Sequence, residues 1–430
     1  MAERALLACI AGPPGSWELE DDLAELTELA RSAGAEPVGA VVQARHRYEA
    51  ATLFTAGKVE EIAAAAAAHD AEIVLCNHNL SPRQQMRLQD ALDRKVIDRT
   101  RLILDIFSTR AASREGRIQV ELAQWLYLLP RLSGLGRDLS RTGGGIGTRG
   151  PGETKLESDR RRVRARITAL RADLARVAVT RQVQRRGRAR GVLCRVCLVG
   201  YTNAGKSTLH RALCGSDVLA ADALFATLDP TTRALALPGN RRALLTDTVG
   251  FIHDLPHDLV AAFSATLEEV CDADLLLEVT DQSHPRWQEQ RSSVEQVLGE
   301  LGAATLPRIL VWNKCDRPPA GAPPTAAADH PPPRTDLPHV RVVAKTGEGL
   351  ADLRAMIAAA LPDRRQEVRA VLPFGAEPLL HAVRTEGEVL SLRYEPRGIA
   401  LVARCEPALA ERVSAAARGR GESTPPAPGP

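Results

Sequence analysis

The chain has 430 residues, 44% of them hydrophobic and 3% aromatic, and a formal net charge of +3. That length predicts about three domains. No apolar run approaches the ~18–20 residues of a membrane span. Eight cysteines in so long a chain point to reduced cytoplasmic thiols, not a disulfide framework. The charge is segregated: residues 131–190 carry 17 Lys/Arg and 5 Asp/Glu, which points to a polyanionic partner. Few aromatics exclude a single-strand stacking platform, so contacts to a nucleic-acid backbone would have to dominate.

Residues 1–110 read as an α/β domain. Strands are predicted at Leu6–Ile10, Val38–Val42 and Ile73–Cys76, alternating with helical stretches at Leu23–Ala33 and Val59–Ala68. Leu6 to Cys9 mimics a lipoprotein cleavage box, but its position and the acidic residues from Glu18 to Asp22 favour a first strand. Gly57 and Lys58 open a helix and are read as a solvated start, with a phosphate contact as the alternative.

Residues 111–190 predict a basic antiparallel helical hairpin. Ile118, Leu122, Trp125, Leu126, Leu129 and Leu132 share one helical face. Leu156, Val163, Ile167, Leu170, Leu174 and Val177 form a heptad seam on a second helix over Glu153–Arg186, about 50 Å long at 1.5 Å per residue. The tip, 140–153, is glycine-rich and flanked by Arg141, Arg149 and Lys155. It is read as probing RNA, with Gly144, Gly145, Thr148 and Arg160 to Arg162 as further contacts (Arg160, Arg161, Arg162); a passive loop is the alternative.

Residues 191–362 carry the chemistry. The strand Arg195–Val199 runs into Gly200-Tyr-Thr-Asn-Ala-Gly205-Lys206-Ser207, and Thr208 continues into a helix. This is a P-loop: backbone N–H groups converge on a β-phosphate, Lys206 reaches the β- and γ-phosphates, and Ser207 offers a hydroxyl to Mg²⁺. Tyr201, Thr202, Asn203, Ala204 and Gly205 supply the cradle. Asp247, Thr248, Val249 and Gly250 follow the strand Ala243–Thr246, placing Asp247 on the metal side through a water and Gly250 against the γ-phosphate. After the strand Leu275–Val279, Ile309–Trp312 leads into Asn313, Lys314, Cys315 and Asp316. The Asp316 carboxylate only accepts hydrogen bonds and so selects guanine, while Asn313 reaches N7 and the Lys314 stem lies along the ring. Val340–Val343 leads into the guanine-supporting loop at Val343, Ala344 and Lys345.

The first switch region is Phe225, Ala226, Thr227, Leu228 and Asp229. Thr227 is the choice for a second Mg²⁺ hydroxyl, with Thr231 and Thr232 as alternatives. Phe251 stands where a water-orienting Gln is common, so slow unaided hydrolysis is expected. Lys206, Thr227 and Gly250 are the catalytic candidates. Asn203 either holds K⁺ or caps the loop. Cys194 and Cys197 are read as structural, because residues three apart on a strand face opposite ways.

A Pro-rich insertion is expected at 317–339, a small α+β module at 366–416 with strands Gly387–Tyr394 and Ile399–Ala403, and a disordered tail at 417–430. The fold class is α/β: a doubly wound P-loop GTPase sheet between an N-terminal α/β domain with its hairpin and the C-terminal module.

The residues also resemble the HflX family of translation-related GTPases. The likeness rests on Asp98-Arg-Thr100, Leu104-Asp-Ile-Phe107, Val120-Glu-Leu-Ala-Gln124, the glycine-rich string Gly144 to Glu157, Asp159-Arg-Arg161 and Leu255-Pro-His-Asp-Leu259. It implies binding to the large ribosomal subunit and its RNA, and GTP-linked splitting of stalled or idle ribosomes; a cytoplasmic monomer is expected. Val343 departs from the Ser usual in the family's guanine-supporting loop, and Phe54-Thr-Ala56 from a more glycine-rich stretch. An RNA-remodelling or assembly factor and a protein-partner switch are the competing readings.

Overall fold

A computed structural model of the chain describes residues 2–11, 19–44, 48–132, 151–188, 193–215, 225, 227–252, 269–318 and 335–418; in the helix 151–188, side chains are described from 157 to 177. Arg141, Gly144, Gly145, Thr148, Arg149, Ala226, the string 255–259, most of the Pro-rich insertion and residues 419–430 lie outside the described residues, as does the side chain of Lys155.

The N-terminal sheet is parallel, in the order β2-β1-β3-β4, from β1 (Arg4–Ile10), β2 (Glu36–Gln43), β3 (Ile73–Cys76) and β4 (Lys95–Ile97). Leu6 to Cys9 lies inside β1, and Cys9 is fully buried. Helices α1 (Leu19–Ser32), α2 (Ala56–Ala68), α3 (Pro82–Leu92) and α4 (Arg99–Arg110) intervene. Their boundaries have local causes. Ser81 and Gln84 form a capping box at α3, with Pro82 at its first turn. Asp98 caps α4 by accepting from the Arg101 N–H. At the start of α2, Lys58 pairs with Glu61 at 2.6 Å.

The hairpin consists of α5 (Arg114–Leu128) and the 38-residue α6 (Pro151–Arg188). Leu122, Val163, Ile167 and Leu170 are buried in a shared seam, with Ile118, Trp125, Leu126, Leu129, Leu132 and Leu174 packed against it. Arg166 forks onto both carboxylate oxygens of Glu121 at 2.7 and 2.8 Å. The base of the hairpin is tied to the N-terminal domain at Asp98, which accepts from Tyr127 Oη at 2.9 Å and Arg131 Nη2 at 2.9 Å.

The central sheet has the order β10-β9-β8-β5-β7-β6: β5 (Cys194–Gly200), β6 (Thr231–Leu237), β7 (Arg241–Asp247), β8 (Leu275–Asp281), β9 (Arg308–Asn313) and β10 (His339–Arg341). Only β6, at one edge, is antiparallel to its neighbour. Alternate residues of β5 enter different cores. Cys197 and Val199 join a cluster shared with the N-terminal domain, while Cys194, Val196 and Leu198 join the other. The shared cluster places Leu26, Leu29, Phe107 and Val120 with Tyr201, Phe225, Leu228 and Phe251. The face of this sheet that carries the P-loop tyrosine is therefore covered by the N-terminal half. Helices α7 (Lys206–Cys214), α8 (Trp287–Glu300) and α9 (Leu350–Ala360) complete the layers.

The last unit pairs β11 (Gln366–Leu372), β13 (Gly398–Cys405) and β12 (Glu388–Glu395) in an antiparallel sheet, with α10 (Glu377–Glu386) and α11 (Pro407–Arg418). Three boundaries differ from the sequence reading. Helix α6 starts at Pro151, inside the expected tip; β10 takes in His339 from the expected insertion; and α11 runs to Arg418, two residues into the expected tail. Proline suits a first helical turn, which accounts for the first. Strands β4, β6 and β11 were not legible: β4 has three residues, only Leu235 and Leu237 of β6 are buried, and only Val368 and Leu372 of β11 are.

Candidate nucleotide and metal site

The phosphate-binding loop connects β5 to α7. Gly200 has φ +151°, and a side chain there would run into the Val279 carbonyl of the adjacent strand. Gly205 has φ +94°, and its missing side chain makes room for the amide of Asn313. Asn203, exposed at φ +59°, is in the left-handed conformation that Asn tolerates best after glycine. The turn thus needs its glycines for close approach as well as for dihedral freedom.

Lys206 is buried, and its Nζ donates to the carbonyls of Gly200 at 2.9 Å and Tyr201 at 2.8 Å. Burial pushes its pKa down from 10.5 to about 8, opposed by the charge of Asp247. Three oxygens meet beside it. Ser207 Oγ and Thr227 Oγ1 are 2.8 Å apart, and Thr227 Oγ1 donates to Asp247 Oδ2 at 2.8 Å. The other Asp247 oxygen is buried and has no hydrogen-bond partner among the described residues. Two hydroxyls and a carboxylate with an unspent buried oxygen match the hard oxygen donors that Mg²⁺ takes, so these side chains fit that ion. Neither Thr231 nor Thr232 joins this cluster: Thr232 bonds Thr246 at 2.9 Å across the β6–β7 pair, and Thr231 is exposed.

The segment after β7 lies against the loop. Thr248 Oγ1 donates to the Leu198 carbonyl at 2.6 Å, pinning β7 to β5. A side-chain carbon at Gly250 would come within 2.9 Å of Thr202 and 3.0 Å of Lys206 Nζ. Phe251 donates its N–H to the Gly200 carbonyl at 3.1 Å and accepts from the Thr202 N–H at 2.7 Å, and its ring is buried in the shared core.

On the base side, Asn313 links three segments: Nδ2 donates to Ala204 O at 2.8 Å, and Oδ1 accepts from the Ala344 N–H at 3.1 Å. Lys314 Nζ reaches Asp281 at 2.7 Å. Asp316 and Lys345 are exposed. The Val343 N–H donates to the Glu348 carbonyl at 3.0 Å, which closes the loop that carries Ala344 and Lys345. In the first switch region the side chains of Phe225 and Leu228 are buried in the core shared with Tyr201, Phe225 meeting Phe107 edge-on at 4.7 Å. Asp229 accepts the N–H groups of Ala112 at 2.9 Å and Ser113 at 2.7 Å, outside the oxygen cluster. Apolar burial decides the first two positions and helix-end donors the third.

Three successive stretches of the chain match families of known proteins. Residues 20–108 match a family described as GTP-binding GTPase N-terminal, 110–188 one described as GTP-binding GTPase middle region, and 195–314 one described as 50S ribosome-binding GTPase. The GTPase HflX of Caldanaerobacter subterraneus is 45% identical over 96% of this chain and 93% of its own length. The chain belongs to the HflX family of GTPases. The Escherichia coli HflX is 48% identical over 69% of this chain and 70% of its own. A GTP-binding protein from Sulfolobus solfataricus, solved with GDP, is 21% identical with a TM-score of 0.45, over 83% of this chain and 98% of that one.

As an HflX GTPase the chain hydrolyses GTP, and three residues around its site escaped sequence reasoning. Tyr201 Oη donates to Glu25 at 2.6 Å, and Glu25 in turn forms a buried ion pair with Arg99. Asp281 holds Lys314, and Ser113 holds Asp229. Only Asp281 left a local signal, a carboxylate ending an apolar strand; the other two act across more than a hundred residues. No helix among the described residues is long and apolar enough to cross a membrane.

Proposed function

We propose that this GTPase binds the large ribosomal subunit, separates stalled or idle ribosomes, and uses GTP hydrolysis to time its release. The observation that carries the reading is the outer face of α6. Its inner residues Val163, Ile167 and Leu170 fill the hairpin seam. Arg161 and Arg164 are exposed and Arg160 half-exposed, without a carboxylate partner among the described residues. Unneutralised arginines on one side of a long helix suit a phosphate backbone. The match of residues 195–314 to a 50S ribosome-binding description supports a ribosomal source for that backbone.

In this reading the loop amides and Lys206 would hold the phosphates, Ser207, Thr227 and Asp247 would hold Mg²⁺, and Asn313 and Asp316 would read guanine. When bound, Mg²⁺ supplies positive charge against the phosphate oxygens. The buried ring of Phe251 cannot orient a water, so unaided turnover is slow and the ribosome completes the site. Asn203 makes no side-chain hydrogen bond among the described residues and faces solvent, which leaves its amide oxygen for K⁺. The test is GTP turnover with and without purified large subunits, in K⁺ and then Na⁺. Stimulation by subunits supports the reading, and its loss in Na⁺ assigns the ion to Asn203. Equal turnover with and without subunits overturns ribosomal completion, and equal rates in the two salts overturn the K⁺ assignment.

A further inference from the structure

Three contacts fix the first switch region, and they lie on different parts of the molecule. Phe225 packs on Phe107 of α4, Thr227 joins Ser207 and Asp247, and Asp229 reaches the root of the hairpin. The last contact is the most demanding. The Asp229 carboxylate accepts the N–H of Ala112, the N–H of Ser113 and the Ser113 hydroxyl. Ser113 is also the N-cap of α5, accepting from the Gly116 N–H at 2.8 Å. A negative charge is favoured at that end of a helix. Gly116, in the first turn, leaves just enough room: a side-chain carbon there would sit 2.5 Å from Asp229 Oδ1.

Only Leu228 separates Thr227 from Asp229. Two residues so close in the chain cannot move independently when both are hydrogen-bonded. We propose that Asp229 is a latch through which the hairpin root positions Thr227 for GTP turnover. The proposal rests on the reading of Thr227 as a metal-side residue and deepens it. Nucleotide that draws Thr227 to the metal side fastens the hairpin root, and by linkage a load on the hairpin changes how well Thr227 is placed. RNA contact along α6 and turnover at the P-loop are thereby joined without either site touching the other. Ser113 and Gly116 act through Asp229, which makes them positioning residues.

Gly116→Ala separates this role from simple helix support. Alanine is a better helix former than glycine, yet its methyl displaces Asp229. Ser113→Asp keeps an N-capping oxygen while setting a second carboxylate against the first, and Ser113→Thr keeps both the cap and the hydroxyl. The full chain is compared by amide hydrogen exchange across 114–128 with GDP and with a non-hydrolysable GTP analogue, and by GTP kcat and KM. The wild type and Ser113→Thr should show slower exchange with the analogue. Gly116→Ala and Ser113→Asp should lose that difference and lower kcat by at least about fivefold, the lower end of ordinary coupling between sites, with KM changed less than about twofold. Nucleotide-dependent exchange and wild-type kcat in both variants would overturn the latch. If Gly116→Ala does not fold, Ser113→Asp decides alone. Wild-type turnover in Thr227→Ala would overturn the metal-side reading beneath it, a result distinct from failure of the latch.

Discussion

Lys206 is the residue whose chemistry depends most on its surroundings, and its protonation can be read in nucleotide affinity. Without a phosphate its ammonium is buried, held by two carbonyls, and titrates at about 8 in place of 10.5. From that value about a tenth of the lysine is neutral at pH 7 and about three quarters at pH 8.5. Phosphate oxygens favour the charged form, so GTP or GDP binding must take up the missing proton. Affinity should fall roughly fourfold between pH 7 and pH 8.5. Calorimetry at pH 8 in two buffers of different ionisation enthalpy should show uptake of about half a proton per nucleotide. In Lys206→Arg the guanidinium stays charged throughout, and the pH dependence should flatten even if binding is weaker. Affinity constant to within about 1.5-fold over this range, with no proton uptake, would refute the burial argument. The same shift has a consequence for folding without nucleotide. The unfolded chain keeps the proton up to about 10.5 and the fold only to about 8. Stability should therefore rise with pH across that window, by roughly 3 kcal/mol in all.

Substituting Asp316 with asparagine should turn base preference from guanine toward xanthine, by about 1–3 kcal/mol in competition binding; unchanged selectivity would remove its assigned role. Replacing Arg160, Arg161 and Arg162 together with glutamine should weaken large-subunit binding and flatten its dependence on log salt by up to about three units, leaving GTP affinity unchanged. A slope equal to wild type would show that this face does not meet RNA. Glu278 lies buried in β8, with Arg291 at 2.9 Å and Arg308 at 3.5 Å. Glu278→Ala leaves Arg308 without this carboxylate and Arg291 with Glu295 at 3.1 Å, and should cost about 1–3 kcal/mol in chemical denaturation; a loss under about 0.5 kcal/mol would mean that solvent reaches the pair.

What the sequence determined by itself is local and repetitive. The P-loop, the aspartate ending β7 and the asparagine ending β9 were legible because each is a short string at the end of an apolar strand, and a parallel sheet brings strand ends together wherever its strands are buried. The hairpin seam was legible because helical spacing writes a buried face into the order of residues. Tertiary structure decided which way the side chains between those strings point. Phe225 and Leu228 carry no sign that they belong to a core shared with Phe107, since apolar residues in a switch segment look the same whether they face nucleotide or neighbour. Asp229 could have served the metal cluster two residues away. Instead it serves helix-end N–H groups 116 and 117 positions earlier in the chain, and Tyr201 likewise finds Glu25 across 176 positions. Such partners are chosen by where two folded units meet, and charge, donor and acceptor recognise one another there by distance, which the order of residues does not record.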